Sequence, residues 1–174
     1  ETFETYTKGT EAPLTVNFGS AGSATLSGMG AIQQGDSTGR WAISGTKYWE
    51  APGSSSSLFT ITFSKEIAAF GFYGTDIGDF DGQVTITTAN GTSTSYIIPH
   101  PTGQGNYDYT ALYWGVIDTV NPFTSITFAN TGSGADYFGF DDFSIGTIEQ
   151  VHPTPEPATM LLLGLGLVGL TTLR

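Results

Sequence analysis

Three aspartates, Asp76, Asp79 and Asp81, fall within six residues in the stretch Gly74-Thr75-Asp76-Ile77-Gly78-Asp79-Phe80-Asp81-Gly82. Closely spaced carboxylates on a glycine-rich turn can converge their oxygens on a hard cation such as calcium. The same aspartates can instead cap their own turn by accepting nearby backbone N–H groups. A second acidic pair, Asp141-Asp142, sits inside Phe138-Gly139-Phe140-Asp141-Asp142-Phe143-Ser144-Ile145-Gly146. Phe138 and Phe140 share one phase of an alternating strand there, and Phe143 and Ile145 share the other. That change of phase predicts either a sheet apolar on both faces or a bulge at the aspartates. A bulge turns one carboxylate inward, where it needs a cation or N–H donors as its partner.

Aromatic residues make up 13% of the chain, enough to supply both a core and an exposed binding surface. Tyr48, Trp49, Tyr107 and Tyr109 fall in segments that read as loops, where exposure would let their ring faces stack on the C–H faces of sugars. Tyr113 belongs to the same group of candidates, while Trp41 and Trp114 lie on predicted strands and read as core. Catalysis has little to build on. The two histidines are His100, between Pro99 and Pro101, and His152, and nothing marks a serine to pair with His100. Gly164-Leu165-Gly166-Leu167-Val168-Gly169 has the spacing of a dinucleotide loop but follows no strand and opens no βαβ unit.

The elements that must position these residues are short strands. Phe59, Ile61 and Phe63 alternate with polar residues, and Val84–Thr87 and Ser125–Phe128 carry β-branched residues on both faces. Similar runs occur at Leu14–Phe18, Ala24–Leu26, Gly30–Gln33, Arg40–Ser44, Ala68–Tyr73, Ser93–Ile98, Leu112–Ile117 and Tyr137–Ile145. Asn90-Gly91 between two runs signals a tight hairpin. Lys47–Ser57, with Pro52-Gly53 and four serines, and His100–Thr110 read as loops. About ten strands with no helical periodicity predict an all-β fold, an antiparallel β-sandwich or jelly roll.

Composition narrows the partners. Five Lys and Arg against sixteen Asp and Glu give a net charge of −11, which repels nucleic acid. There is no cysteine, so packing, aided by a metal if one binds, must hold the fold without disulfides. Glu1 in place of Met fits a chain whose secretory leader has been removed.

The strand pattern stops near Gly146, which divides the chain into a sandwich domain at 1–149 and a tail at 150–174. The tail has a proline-rich spacer at 150–157 and an apolar stretch at 158–173 that closes on Arg174. As a helix the apolar stretch would span roughly 24 Å, short of the roughly 30 Å that the about 20 residues of a membrane crossing cover. Pro155-Glu156-Pro157, the apolar span and the basic end together resemble the PEP-CTERM signal of Gram-negative bacteria that make extracellular polysaccharide. A single terminal Arg174 stands where such tails usually carry several basic residues. The resemblance implies export, transient contact with the inner membrane, recognition by an exosortase and removal of the tail at the cell surface or in the matrix.

The opening Thr2-Phe3-Glu4 and the closing Phe138–Gly146 segment also resemble the first and last strands of bacterial carbohydrate-binding jelly rolls. That resemblance implies a structural calcium ion held by Glu4 with Asp141 or Asp142. Taken together, these features point to a secreted, non-enzymatic protein of the extracellular polysaccharide or biofilm matrix, adhesive or structural. One alternative is a carbohydrate-binding module that uses the loop aromatics. Another is a subunit that associates with itself into an extracellular fibre.

If the tail is an address, mass spectrometry of protein recovered outside the cell gives a chain ending near Pro155–Pro157. A secreted chain that still carries Arg174 contradicts removal.

Overall fold

A computed structural model describes residues 1–53, 58–77, 84–98, 110–131 and 136–152. Asp79, Asp81, Tyr107, Tyr109 and the tail residues Pro155, Glu156, Pro157 and Arg174 lie outside them, as does the predicted helix at 158–173.

Among the described residues the chain forms eleven strands. They are β1 (Leu14–Asn17), β2 (Ser23–Gly28), β3 (Ala31–Gln34), β4 (Lys47–Pro52), β5 (Phe59–Ile67) and β6 (Ala69–Thr75), followed by β7 (Val84–Ala89), β8 (Ser93–Ile97), β9 (Ala111–Ile117), β10 (Phe123–Asn130) and β11 (Tyr137–Gly146). One sheet runs β1-β2-β5-β10-β7-β8, the other β3-β4-β11-β6-β9, and all the pairings within them are antiparallel. The result is the expected β-sandwich with jelly-roll character. A single helical turn, α1 (Ile148–Val151), follows β11, with Thr147 and Gln150 forming a capping box at its start. None of the helices in the described residues is long and apolar enough to cross a membrane.

Alternation along the strands sends one set of side chains between the sheets. Phe59 of β5 stacks on Phe128 of β10, with centroids 4.4 Å apart and planes 13° apart. Phe140 of β11 meets both rings edge-on, at 5.1 and 5.2 Å. Phe72 of β6 packs edge-on to Phe128 at 5.3 Å, and Phe143 packs on Phe70 at 5.6 Å. All of these rings are buried. They tie the central strands of both sheets together without a disulfide.

Several sequence expectations hold here. β7 and β8 form the hairpin at Asn90-Gly91, with Ala89 opposite Ser93 and Gly91 at φ 76°. The register of β11 against β6 shifts between Asp141 and Ser144, and Asp142 sits at φ 52°, so the phase change in the sequence is a bulge.

Two expectations are corrected. Arg40–Ser44 is no strand: it carries an isolated bridge between Ser37 and Arg40, and the Asp141 carboxylate takes the backbone N–H groups of Ile43 and Ser44. Lys47–Pro52, expected in a loop, is β4, paired with β3 on one side and β11 on the other. Pro52 ends that strand, where a missing N–H costs no interior ladder bond.

Phe140→Ala removes a ring that touches both sheets. It should cost about 3–5 kcal/mol in urea unfolding. A loss under about 1 kcal/mol would show that these rings do not form the joint between the sheets.

Candidate functional site

The five-stranded sheet has an inner face on the core and an outer face turned away from the other sheet. Tyr137, Glu50, Tyr48, Asp141, Thr75 and Tyr73 fall on the outer face by register and alternation. Residues 36–46 cross the middle of that face, and carboxylates pin them there. Unpaired backbone N–H groups at a buried position must find acceptors, and side chains supply them.

The first pin is Asp141, 1% exposed, whose Oδ2 accepts the N–H groups of Ile43 at 2.8 Å and Ser44 at 3.1 Å. Its neighbour Asp142 accepts the Ser44 hydroxyl at 2.5 Å. The second pin is Glu4, whose Oε1 accepts the N–H groups of Thr46 at 2.8 Å and Lys47 at 2.6 Å. Lys47 returns the contact by donating Nζ to the carbonyls of Glu4 and Tyr6. The third is Asp76, at the end of β6, whose Oδ2 accepts Arg40 Nη1 at 3.0 Å. Arg40 also donates Nε to Glu50 Oε2 at 2.8 Å and Nη1 to the Thr38 carbonyl at 2.9 Å. Gly39 sits at φ 87° against the Asp76 carboxylate, so a Cβ there would be both strained and blocked.

These surroundings shift the acids in opposite directions. Burial pushes the Asp141 carboxyl up to about 6, although the N–H donors of Ser44, Asp142 and Ile43 pull the other way. The Thr46 N–H, helped by that of Lys47, holds the half-buried Glu4 carboxyl below its ordinary value. Burial raises the Tyr48 phenol to about 12.

Beside the pinned loop the outer face opens into a groove of about 580 Å³. Tyr137, Arg40, Glu50, Gln33, Glu11 and Met29 are among its lining residues. Tyr137 is 48% exposed, and the Arg40 guanidinium carbon lies 5.5 Å from its ring centroid. The Arg40 and Glu50 side chains are each only 12% exposed and paired with each other, so their donors and acceptors are held in place before any ligand arrives. An exposed ring beside fixed polar groups suits a flat ligand with an apolar face and hydroxyls at its edge.

The sequence candidates are sorted by these positions. Tyr48 and Trp49, expected to be exposed in a loop, are completely buried in β4 and present no ring face to a ligand. Trp49 points inward, packed edge-on against Phe59 at 6.1 Å, and Tyr48 points outward beneath the pinned loop. Trp114 is half-buried against Phe72 and Tyr96, Trp41 is half-buried, and Tyr113 is 58% exposed. The groove residues Tyr137, Arg40, Glu50 and Gln33 were missed. A signal for Tyr137 was available, because it takes the phase opposite to the inward Phe138 and Phe140.

The described carboxylates do not fit the implied calcium ion. Glu4, Asp141, Asp142 and Asp76 each receive N–H or O–H donors, whose positive ends would repel a cation. Among the described residues no three His, Cys, Asp or Glu side chains gather as metal ligands would. Asp76 pairs with Arg40, and its sequence partners Asp79 and Asp81 lie outside the described residues.

Residues 153–174 match the PEP-CTERM protein-sorting motif, so the chain carries the sorting signal read from its sequence. That motif marks proteins exported to the envelope of Gram-negative bacteria and implies processing by an exosortase. No curated protein matches the chain. Among solved structures, the chain is similar to TmCBM61 in complex with β-1,4-galactotriose, at 13% identity and TM-score 0.48, over 84% of this chain and 94% of that one. It is also similar to the CBM22-1 xylan-binding domain of Paenibacillus barcinonensis Xyn10C, at 14% identity and TM-score 0.43, over 82% and 97% of the two chains. A third likeness is to the enzymatically active domain of bacteriophage CBA120 tailspike protein 4, at 14% identity and TM-score 0.40, over 73% of this chain and 19% of that one. All three are remote.

The raised carboxyl of Asp141 gives a pH signature. The native state keeps this proton at pH values where the unfolded chain has lost it, so the group favours folding most at low pH. Its contribution falls as pH rises from 3.8 to about 6. Asp141→Asn cannot titrate. Denaturant unfolding across this range should therefore shift the stability gap in favour of Asp141→Asn by up to about 3 kcal/mol. A gap that stays constant with pH would contradict the burial assigned to this carboxyl.

Proposed function

We propose that the domain is a non-catalytic polysaccharide-binding module, delivered to the cell surface or extracellular matrix by its sorting tail and parted from that tail by an exosortase. The observation that carries this reading is the exposed Tyr137 ring at a groove whose polar groups are already fixed by the Arg40–Glu50 pair. A sugar ring stacked on Tyr137 would meet hydroxyl-binding groups at its rim without reorganising the protein. Glu11 and Glu50 at the groove, on a chain of net charge −11, favour a neutral glycan over one rich in uronic acids. Adhesion to the matrix follows from binding of this kind and needs no reaction.

Affinity electrophoresis through gels containing neutral or uronate-rich polysaccharides tests the reading. The wild type should be retarded by a neutral polymer, Tyr137→Phe should keep that retardation, and Tyr137→Ala should lose about tenfold in affinity, worth about 1.4 kcal/mol. Undiminished binding by Tyr137→Ala would remove this groove as the glycan site.

A further inference from the structure

The outer face opens a second time on the far side of the pinned loop. This trough, about 490 Å³, is lined by Tyr113, Gly115 and Ile117 of β9, Ala69 and Gly71 of β6, and Ser144 and Gly146 of β11, among others. Its lining contains no charged side chain. Glycine explains its shape. The Tyr113 hydroxyl lies over Gly71, where any Cβ would collide with it, and close to Gly115 as well. With no side chains beneath it, the ring leans along the sheet toward β6, and Tyr113 is 58% exposed. Tyr73, 36% exposed, stands beside it with centroids 5.0 Å apart and planes tilted by 58°. The exposed Ser144 adds a hydroxyl at the rim.

An exposed aromatic pair over a side-chain-free floor calls for a partner with a flat apolar face. A protein partner would need about 800 Å² on each side, far more than a trough a few strands wide provides. An anionic membrane surface would be repelled by a chain of net charge −11. A neutral sugar ring fits: C–H groups down onto Tyr113, hydroxyls outward to Ser144, to the tyrosine hydroxyls and to water.

We infer that Tyr113 and Tyr73 form a second, independent platform for a neutral glycan, which makes the domain bivalent and able to cross-link polysaccharide chains. The inference rests on the glycan-binding reading of the Tyr137 groove. By register the Tyr113–Tyr73 pair stands level with Asp141, four residues or about 13 Å along β11 from Tyr137 at ~3.3 Å per residue, and on the opposite flank of that strand. The loop pinned at Asp141 and Asp142 lies between them, so a short oligosaccharide occupies one site at a time. A long polymer, or two different chains, can occupy both, and the second contact then forms at a high effective concentration.

The test is a count of sites. An array of neutral gluco-, galacto-, manno- and xylo-trisaccharides identifies the tightest trisaccharide, and calorimetry with that probe measures stoichiometry. Two sites per wild-type chain are expected, falling to one in Tyr113→Ala and to one in Tyr137→Ala, with unchanged melting temperatures and with Tyr113→Phe retaining two. The wild type should also precipitate the parent polysaccharide at ratios where either alanine variant leaves it in solution. One site in the wild type, abolished by Tyr137→Ala, overturns the second platform and leaves the first reading standing. A blank array overturns both.

Discussion

The capping of Ile43 and Ser44 by the buried Asp141 carboxylate is the interaction on which the outer face depends. Taking a carboxylate out of water is costly, and the carboxyl's rise to about 6 records that cost directly. Two loop amides together with the neighbouring Asp142 amide offset much of it. The gain is positional. With Ile43 and Ser44 fixed, the chain on either side runs to Arg40 and to Thr46, where Asp76 and Glu4 complete the restraint. Arg40 can then stand beside Tyr137, and Tyr48 is sealed beneath the loop. Without this bond the middle of the sheet would be an uninterrupted surface.

Much of the fold was legible because it depends on short-range pattern. Alternation located most of the strands, Asn90-Gly91 located the β7–β8 turn, and the phase change between Phe140 and Phe143 located the bulge. The carboxylate's need for partners was legible too, with backbone N–H groups among those anticipated, but Asp141 is buried on the outer face beneath the loop and does not turn inward to the core. Who supplied those groups was not legible, since Ile43 and Ser44 lie 98 and 97 positions away along the chain. The same distance explains the two misreadings. Arg40–Ser44 has strand-like residues, but the remote Asp141 carboxylate takes the backbone N–H groups of Ile43 and Ser44. Tyr48-Trp49 looked like part of a loop because Pro52, Gly53 and the serines beyond dominate the local signal. Burial on both faces of β4 arises from a core on one side and the folded-over loop on the other, and neither is visible locally.

Charge is distributed with similar economy. The chain has only five lysines and arginines, and two of them, Arg40 and Lys47, are turned onto the pinned loop and its anchors. Most of the acidic excess thus remains without a basic partner, which keeps such a protein soluble and discourages self-association through charge. Cohesion comes instead from the phenylalanine cluster between the sheets, whose edge-on and stacked contacts do the work that cross-links do in many small secreted domains.

β11 is the longest strand of the described residues, at ten residues, and it lies at the centre of its sheet with β4 on one side and β6 on the other. It is also the strand from which the chain passes, through α1, into the sorting tail. A pull on the tail therefore acts along the middle of the sheet and not on an edge that could peel away. Tension in that direction loads the hydrogen bonds to both neighbours in shear, together with the seats of Phe138, Phe140 and Phe143 in the core. Attachment at the central strand makes the sandwich resist being unravelled from this end.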